Sequence, residues 1–339
     1  MTASQPAPTR PPGHGESTMT AAVQDRYGDT GDVLHLAQVA RPTPGPDEVL
    51  LRVHAAGVDR GVWHLMAGVP YAVRLTGLRA PRNPVRGREV AGRVEAVGSA
   101  VSTLRVGDEV LGIGNGTFAE FATARAAKLV ARPAALPVEQ AAVIGVSATT
   151  ALQAVRDHGR VQAGQTVLVL GASGGVGSFA VQIAKAYGAE VTGVASTGKL
   201  DLVRSLGADH VVDYTQGDVT AAGRRYDVVL DIGGNRSVRT LRRLLTPTGT
   251  LVFVGGEGGG RLLGVGRQLR GVLLSPFVRQ HLRMFVASEN AADLLELTDL
   301  ITAGSVTPVV DRAFPLAEAG AAVQYMTDGR ARGKVVVAV

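Results

Sequence analysis

One segment constrains the fold more than any other: TVLVLGASGGVGSFAVQIAKAYGAEVTGVAST, residues 166–197. It reads as an apolar strand ending at Leu170, a glycine-rich turn, a helix reaching Tyr187 and stopped at Gly188, and a second strand from Glu190. A glycine triplet means little alone. Between a strand and a helix, at the head of a unit of about 30 residues, it predicts a dinucleotide-phosphate site. Gly174 has no Cβ, so a pyrophosphate can approach the backbone, and Gly177 lets the helix pack tightly on the strand. The helix N-terminus offers free N–H groups and a positive dipole end. The spacing is GxxGxxG through Gly171, Gly174 and Gly177, departing from strict GxGxxG at Ala172. Ser173, Gly175 and Val176 complete the predicted phosphate loop. The competing reading is an ordinary strand–helix turn with incidental glycines.

The surrounding rhythm supports a sheet around that turn. Apolar, β-branched runs fall at 166–170, 190–194, 210–213, 227–231, 250–254 and 283–286, with helical stretches between most of them. Six such strands with crossover helices predict an α/β domain over 141–286, a doubly wound parallel sheet buried on both faces. Residues 19–140 differ: short strand-like runs are punctuated by Gly and Pro every 8–12 residues or so, the pattern of a barrel or sandwich. After 287 come a helix-like segment (289–303), a strand, a helix and a strand, predicted to return to the first domain.

The end of the second strand bears on the choice of cofactor. An NAD site usually places an acid there to grip the ribose 2′-hydroxyl. Here the loop reads Ser196-Thr197-Gly198-Lys199. Hydroxyls and an ammonium suit a 2′-phosphate, so NADPH is the expected cofactor. The alternative is that Lys199 is only a surface lysine opening a helix.

Composition removes several chemistries. Among 339 residues there is no cysteine, so disulfides, iron–sulfur clusters, thiolate zinc and cysteine nucleophiles are excluded. No run of about 18 apolar residues predicts a membrane span. Residues 1–18 are rich in Pro, Ser and Gly and are expected to be disordered, with Met19 a possible start. A cytoplasmic protein is expected. The net charge of +6 could serve nucleic acid or steer a phosphorylated cofactor. The densest basic stretch, 261–283, has five arginines and no acid, yet no nucleic-acid motif accompanies it. A solvated face is the expectation there, and no nucleic-acid partner is expected.

Taken together, several stretches make the sequence similar to the zinc-independent medium-chain dehydrogenases/reductases, particularly quinone oxidoreductases. They are PGPDEVLLRVHAAGV (44–58), GREVAGRVEAVG (87–98), VGDEVLG (106–112), ATTALQAV (148–155), LGASGGVGSFAVQIAK (170–185), LGADHVVDY (206–214) and ARGKVVV (331–337). The resemblance runs from Met19 to the C-terminus. It implies a GroES-like, mostly β substrate domain (19–140 and 287–339), a Rossmann domain (141–286) inserted in it, and a cleft between them. It implies that Ser196, Thr197, Lys199 and Tyr214 hold the 2′-phosphate and that Thr150 approaches the nicotinamide. Gly255 and Gly256 would pass the nicotinamide ribose, with Phe285 near the nicotinamide. Asp59 stands near the position of a zinc-ligand Cys in metal-dependent relatives, and Arg88 in place of their His. A catalytic zinc of that type is therefore not expected.

The chain also departs from quinone reductases. Their GVN-x-x-D segment reads GVDRGV here, with Asp59 for Asn and Val62 for Asp, and His64 falls where several relatives carry a tyrosine. His64 is a candidate to orient a carbonyl or donate a proton, and Tyr71 a second candidate facing the substrate. The competing reading of both is structural. Asp59 is read as an anchor for cofactor or loop, with a turn role equally open. The expected activity is metal-free hydride transfer from NADPH to a quinone or an activated C=C or C=O bond of a small electrophile, by a homodimer. The rivals are a non-catalytic NADPH-binding sensor or scaffold and a zinc-type alcohol dehydrogenase.

Overall fold

The computed structural model describes residues 17–78, 80–220, 223–234, 236–255 and 265–339. They form two compact units. The first runs to Gly145 and takes up Arg312–Ala331 and Val335–Val339; the second comprises Val146–Asp311 and Arg332–Lys334.

The first unit opens with an antiparallel pair, β1 (Thr18–Gln24) and β2 (Leu34–Ala40), in which Thr18 lies opposite Ala40. The expected tail thus includes Thr18, already in a ladder; residues 1–16 lie outside the described ones. β3 (Glu48–Val58) is the spine of the unit, paired with β4 (Glu89–Val97) and β6 (Phe121–Arg125). β5 (Glu109–Ile113) and β7 (Leu129–Ala131) extend the sheet beyond β4. Between β3 and β4 runs helix α1 (Arg60–Ala67). The Asp59 carboxylate accepts from the Val62 N–H at 3.0 Å as its N-cap, and Gly68, at φ +62°, closes it. α1 sends Val62 and Met66 into a core with Val49, Leu51, Val90 and Phe118. Each such side chain, fully buried, contributes roughly 1.5–3 kcal/mol. A short helix, α2 (Val138–Ala141), ends this part of the chain.

The second unit starts with α3 (Ser147–Gln153), which runs into a π-helical turn over Ala154–Gly159. Then come β8 (Thr166–Leu170), α4 (Gly175–Ala186), β9 (Glu190–Ala195), α5 (Leu200–Ser205) and β10 (His210–Asp213). β11 (Tyr226–Asp231), α6 (Val238–Arg243), β12 (Leu245–Phe253), α7 (Gly266–Leu274) and β13 (His281–Met284) follow. The sheet is parallel with order β10-β9-β8-β11-β12-β13. In chain order that is 3-2-1-4-5-6, the doubly wound arrangement whose ligand crevice lies beyond the C-terminal end of its first strand. Strands β8 and β11 are buried on both faces, as a central parallel strand must be.

Two expectations need correction. The last strand lies at 281–284 and not at 283–286: Leu282 is the residue that enters the core, whereas Val286 is 92% exposed. Residues 287–311 pack in the second unit, so its boundary falls at Asp311 and not at 286. The cause is a polar cluster on α8 (Ala291–Thr302). Asp293 accepts from Gln153 Nε2 at 2.6 Å and Arg156 at 2.7 Å, Glu296 pairs with Arg156, and the Gln153 amide also donates to the Ser288 carbonyl. Such links between side chains carry no periodic signal. The chain then adds β14 (Val310–Pro315), α9 (Ala319–Thr327) and β15 (Lys334–Ala338), and β15 pairs with β3 in the sheet order β14-β15-β3-β4-β5-β7.

Candidate functional site

The glycine turn is built as the sequence requires. Gly171 leaves β8 at φ +86°, a left-handed conformation. The N–H groups of Gly171 and Ala172 donate to the Val194 carbonyl on β9, and the Gly174 N–H donates back to the Gly171 carbonyl at 3.1 Å. A Cβ on Gly177 would lie 2.0 Å from the Gly171 oxygen, so the helix can start this close to the turn only with glycine. A Cβ on Gly174 would meet nothing nearer than that oxygen at 3.5 Å. Gly174 is the N-cap of α4 and supplies no side-chain cap. The open space over Gly174 and the first-turn amides of α4 form a cradle fitted to a phosphate. Ser173 is buried, and its carbonyl accepts from the Gly333 N–H at 2.9 Å.

Two residues at this turn, Lys334 and Ser147, were not among the expected site residues. Lys334 is 2% exposed and lies along the glycine loop, its Cδ 2.9 Å from where a Gly175 Cβ would stand. Its ammonium donates to Ser147 Oγ at 2.9 Å. A buried cation therefore stands at the N-terminal end of α4, where anionic oxygens are also favoured by the helix dipole. The distance along the chain, from 147 to 334, hides the pairing from any local reading. Thr150, one turn along α3 from Ser147, donates its hydroxyl to the Val146 carbonyl at 2.7 Å.

At the end of β9 the loop 196–199 forms a short 3-10 turn. Thr197 Oγ1 donates to Asp213 at 2.5 Å, and Thr215 donates to the same carboxylate at 2.7 Å. These bonds hold the Asp213 carboxyl below the usual carboxylate range. Asp213, at the end of the third strand, is the acid that this loop meets by hydrogen bond, whereas the expected position of an acid is the end of the second. Lys199 is half-buried; burial lowers its pKa, the charge of Asp311 opposes that, and Arg332 adds to it. Lys199 and Arg332 thus form a basic pair around Asp311, whose carboxylate accepts from the Arg332 N–H at 3.1 Å. Tyr214 follows β10 and is 54% exposed, its N–H bound to the Ala195 carbonyl. Ser196, Thr197, Lys199 and Tyr214 are therefore brought to one end of β9 and β10.

On the other side of the sheet, Gly255 donates to the Asp231 carbonyl, and its own carbonyl accepts from Gln268 at 3.0 Å. Burial raises the Asp231 carboxyl above the usual range, partly offset by Arg267, which donates to it at 2.5 Å. Gly256 lies outside the described residues. Phe285, just past β13, stacks on His158 with ring centroids 4.2 Å apart.

In the first unit, His64 lies on α1 with Nδ1 2.7 Å from the Val69 carbonyl. That carbonyl can only accept, so Nδ1 carries the hydrogen. Neutral His64 then presents Nε2 as an acceptor, and it donates from Nε2 only as imidazolium. Tyr71 is 42% exposed, with the Arg74 guanidinium 4.9 Å from its ring centroid. Asp59, expected as a cofactor or loop anchor, caps α1. Among the described residues there is no group of three or more His, Asp or Glu arranged to hold a metal ion, and no helix long and apolar enough to cross a membrane.

Residues 45–137 match the family described as alcohol dehydrogenase GroES-like domain, and 206–337 the family described as zinc-binding dehydrogenase. The chain is 34% identical over 376 aligned residues to the Mus musculus mitochondrial NAD(P)H oxidoreductase RTN4IP1, covering 97% of this chain and 93% of that one. It is 34% identical over 340 residues to the chloroplastic NADPH-dependent alkenal/one oxidoreductase of Arabidopsis thaliana, covering 94% of this chain and 79% of the relative. The solved quinone oxidoreductase of Coxiella burnetii superposes with a TM-score of 0.85 at 26% identity, over 95% of this chain and all of that one.

Proposed function

Since this chain belongs to the quinone oxidoreductase-like medium-chain dehydrogenases/reductases and is an NAD(P)H-dependent oxidoreductase, we propose that it takes NADPH and reduces a quinone or an enone without a metal. The observation that carries the reading is the open cradle over Gly174 at the uncapped N-terminus of α4, flanked by the buried Lys334 ammonium. When bound, the reduced nicotinamide supplies a hydride; the organic chemistry belongs to the cofactor, and the protein contributes position and electrostatics.

The first-turn amides of α4 hold the pyrophosphate, and Lys334 adds a full positive charge. Lys199 and Arg332, with the Ser196 hydroxyl, hold the 2′-phosphate. Thr197 is committed to Asp213, whose charge the two basic side chains must outweigh. Thr150 and Gly255 flank the nicotinamide half. Reduction of an enone needs a proton after the hydride, and His64 Nε2, as imidazolium, is the donor in this reading. Asp59 capping α1 and Arg88 at the metal-ligand position both favour chemistry without zinc. Among the described residues β13 is the last strand of the parallel sheet, and pairing of its outer edge with a second copy would cover it. Sedimentation at the monomer mass would remove that dimer.

The test is NADPH consumption, beside NADH, by purified protein with a panel of quinones and enones. Rapid loss of NADPH with one acceptor class, and slow loss of NADH, is the expected result. Tight NADPH binding without turnover on any acceptor would favour the sensor or scaffold instead.

A further inference from the structure

The first unit holds a cavity of about 270 Å³, near the lower end of the roughly 300–1,000 Å³ range of small-molecule sites. Its wall includes Tyr27, Arg82, Asn83, Arg86, Arg88 and Asn115, with Val62 and Leu65 of α1 on either side of the position bearing His64. Among the described residues, three arginines line it and no acid does. Arg86 is only 7% exposed, which is rare for an arginine without a counter-ion. Its Nε is buried with no hydrogen-bond partner, and no salt bridge to any described carboxylate engages it. Burial pulls its pKa down to about 10, and only the charge of Tyr27 opposes this. Asp59, on the same helix, spends Oδ1 on capping α1, and its Oδ2 bonds to nothing among the described residues. The Asn83 amide is fixed by bonds to Asn115 and to the Val85 N–H.

A buried guanidinium loses much of its hydration, and that loss is offset only where an anion meets it. Proteins retain such a group where a ligand completes the pair, and the planar fork of arginine fits a carboxylate in two parallel hydrogen bonds. We infer that this cavity receives a carboxylate carried by the substrate, held by Arg86, so that the acceptor reduced by this protein is an acid-bearing enone or quinone. The inference rests on the reductase reading for its word substrate; the anion site itself stands on the cavity and Arg86 alone. The reaction balances as enone, NADPH and a proton giving saturated ketone and NADP⁺, with the carboxylate untouched.

The experiment compares trans-3-benzoylacrylate with its methyl ester. Both are enones on the same carbon frame; the ester adds a methyl group in place of the charge and is the more electrophilic of the two, so a preference for the acid must come from its binding. With the wild-type protein, kcat/KM for the acid should exceed that for the ester by about ten- to a hundredfold, as a charge-assisted hydrogen bond implies. Arg86→Met should collapse that ratio, and Arg86→Lys should retain part of it. Equal kcat/KM for acid and ester in the wild type, or an unchanged ratio in Arg86→Met, overturns the inference.

Binding is read separately through Trp63, the single tryptophan of the chain, by titrating benzoate without cofactor. Saturable quenching that Arg86→Met abolishes and Arg86→Lys weakens supports the site even if no acceptor turns over; that second result would defeat only the reductase reading. Removal of an uncompensated buried charge should leave the melting temperature of Arg86→Met equal or higher. If that variant does not fold, the benzoate titration and the acid–ester comparison in the wild type and Arg86→Lys still decide. Absence of benzoate binding to the wild type, or displacement of benzoate by phenyl phosphate at far lower concentration, overturns the carboxylate assignment.

Discussion

Two neighbouring glycines separate stability from cofactor affinity. Gly174 sits at φ −83° and ψ 177°, a conformation alanine adopts freely, and an added Cβ would have nothing nearer than an oxygen at 3.5 Å. Gly174→Ala should therefore leave stability within about 1 kcal/mol of the wild type: the entropic gain of losing a glycine and the loss of a favourable N-cap nearly cancel. The methyl group, however, occupies the space a pyrophosphate needs. Losing one charge-assisted amide contact costs about 1.5–3 kcal/mol, so NADPH should bind about ten- to a hundredfold more weakly. Gly177→Ala is the contrast. Its Cβ would lie 2.0 Å from the Gly171 oxygen and 2.8 Å from the Gly171 carbonyl carbon, both backbone atoms that no rotamer change can move. The fold should lose about 1–3 kcal/mol or more. Fluorescence titration with NADPH and urea unfolding of the three proteins measure both quantities. Unchanged NADPH affinity in Gly174→Ala, with normal stability, would refute the cradle; a Gly177→Ala protein as stable as the wild type would refute the packing argument.

Lys199→Ala should reduce the preference for NADPH over NADH about tenfold or more through NADPH affinity alone, and loss of affinity for both cofactors alike would place Lys199 elsewhere. Replacement of His64 by Phe should lower kcat with an enone by about a hundredfold; a kcat within threefold of the wild type would mean that another group, or water, supplies the proton. Burial opposes the charge on Asp293, but hydrogen bonds from Gln153, Arg156 and Asn290 outweigh it and hold its carboxyl below the usual range. With a folded pKa below the unfolded value of about 3.9, its contribution to stability is complete above that value and is lost as pH falls through the folded one. Asp293→Ala should cost about 3 kcal/mol at neutral pH and flatten the acid limb of the stability profile; urea midpoints equal to the wild type from neutral pH down through the acid limb would contradict this.

The parallel sheet was legible because its strands are continuous apolar runs, each tied to a helix by local chain. The glycine turn was legible because its strand, turn and helix are consecutive in the chain, and because the 2.0 Å approach to the Gly171 oxygen leaves only glycine at Gly177. The limits of the second unit were not. Residues 287–311 are held by Gln153, Arg156, Asp293 and Glu296, polar side chains that join positions about 140 apart. Lys334 and Ser147 meet for the same kind of reason, through the return of the last strand. Arg86 was hidden differently: arginine is common throughout this chain, and only burial without a carboxylate distinguishes this one.

The proposed reaction is direct hydride delivery from a nicotinamide seated on the α4 cradle to an electrophilic acceptor. NADPH deuterated at the transferring face of nicotinamide C4, supplied with an accepted enone, tests it in one mass spectrum. Deuterium is expected on the β-carbon of the saturated product, with one face of the cofactor preferred. A product that carries only solvent hydrogen at that carbon would contradict it.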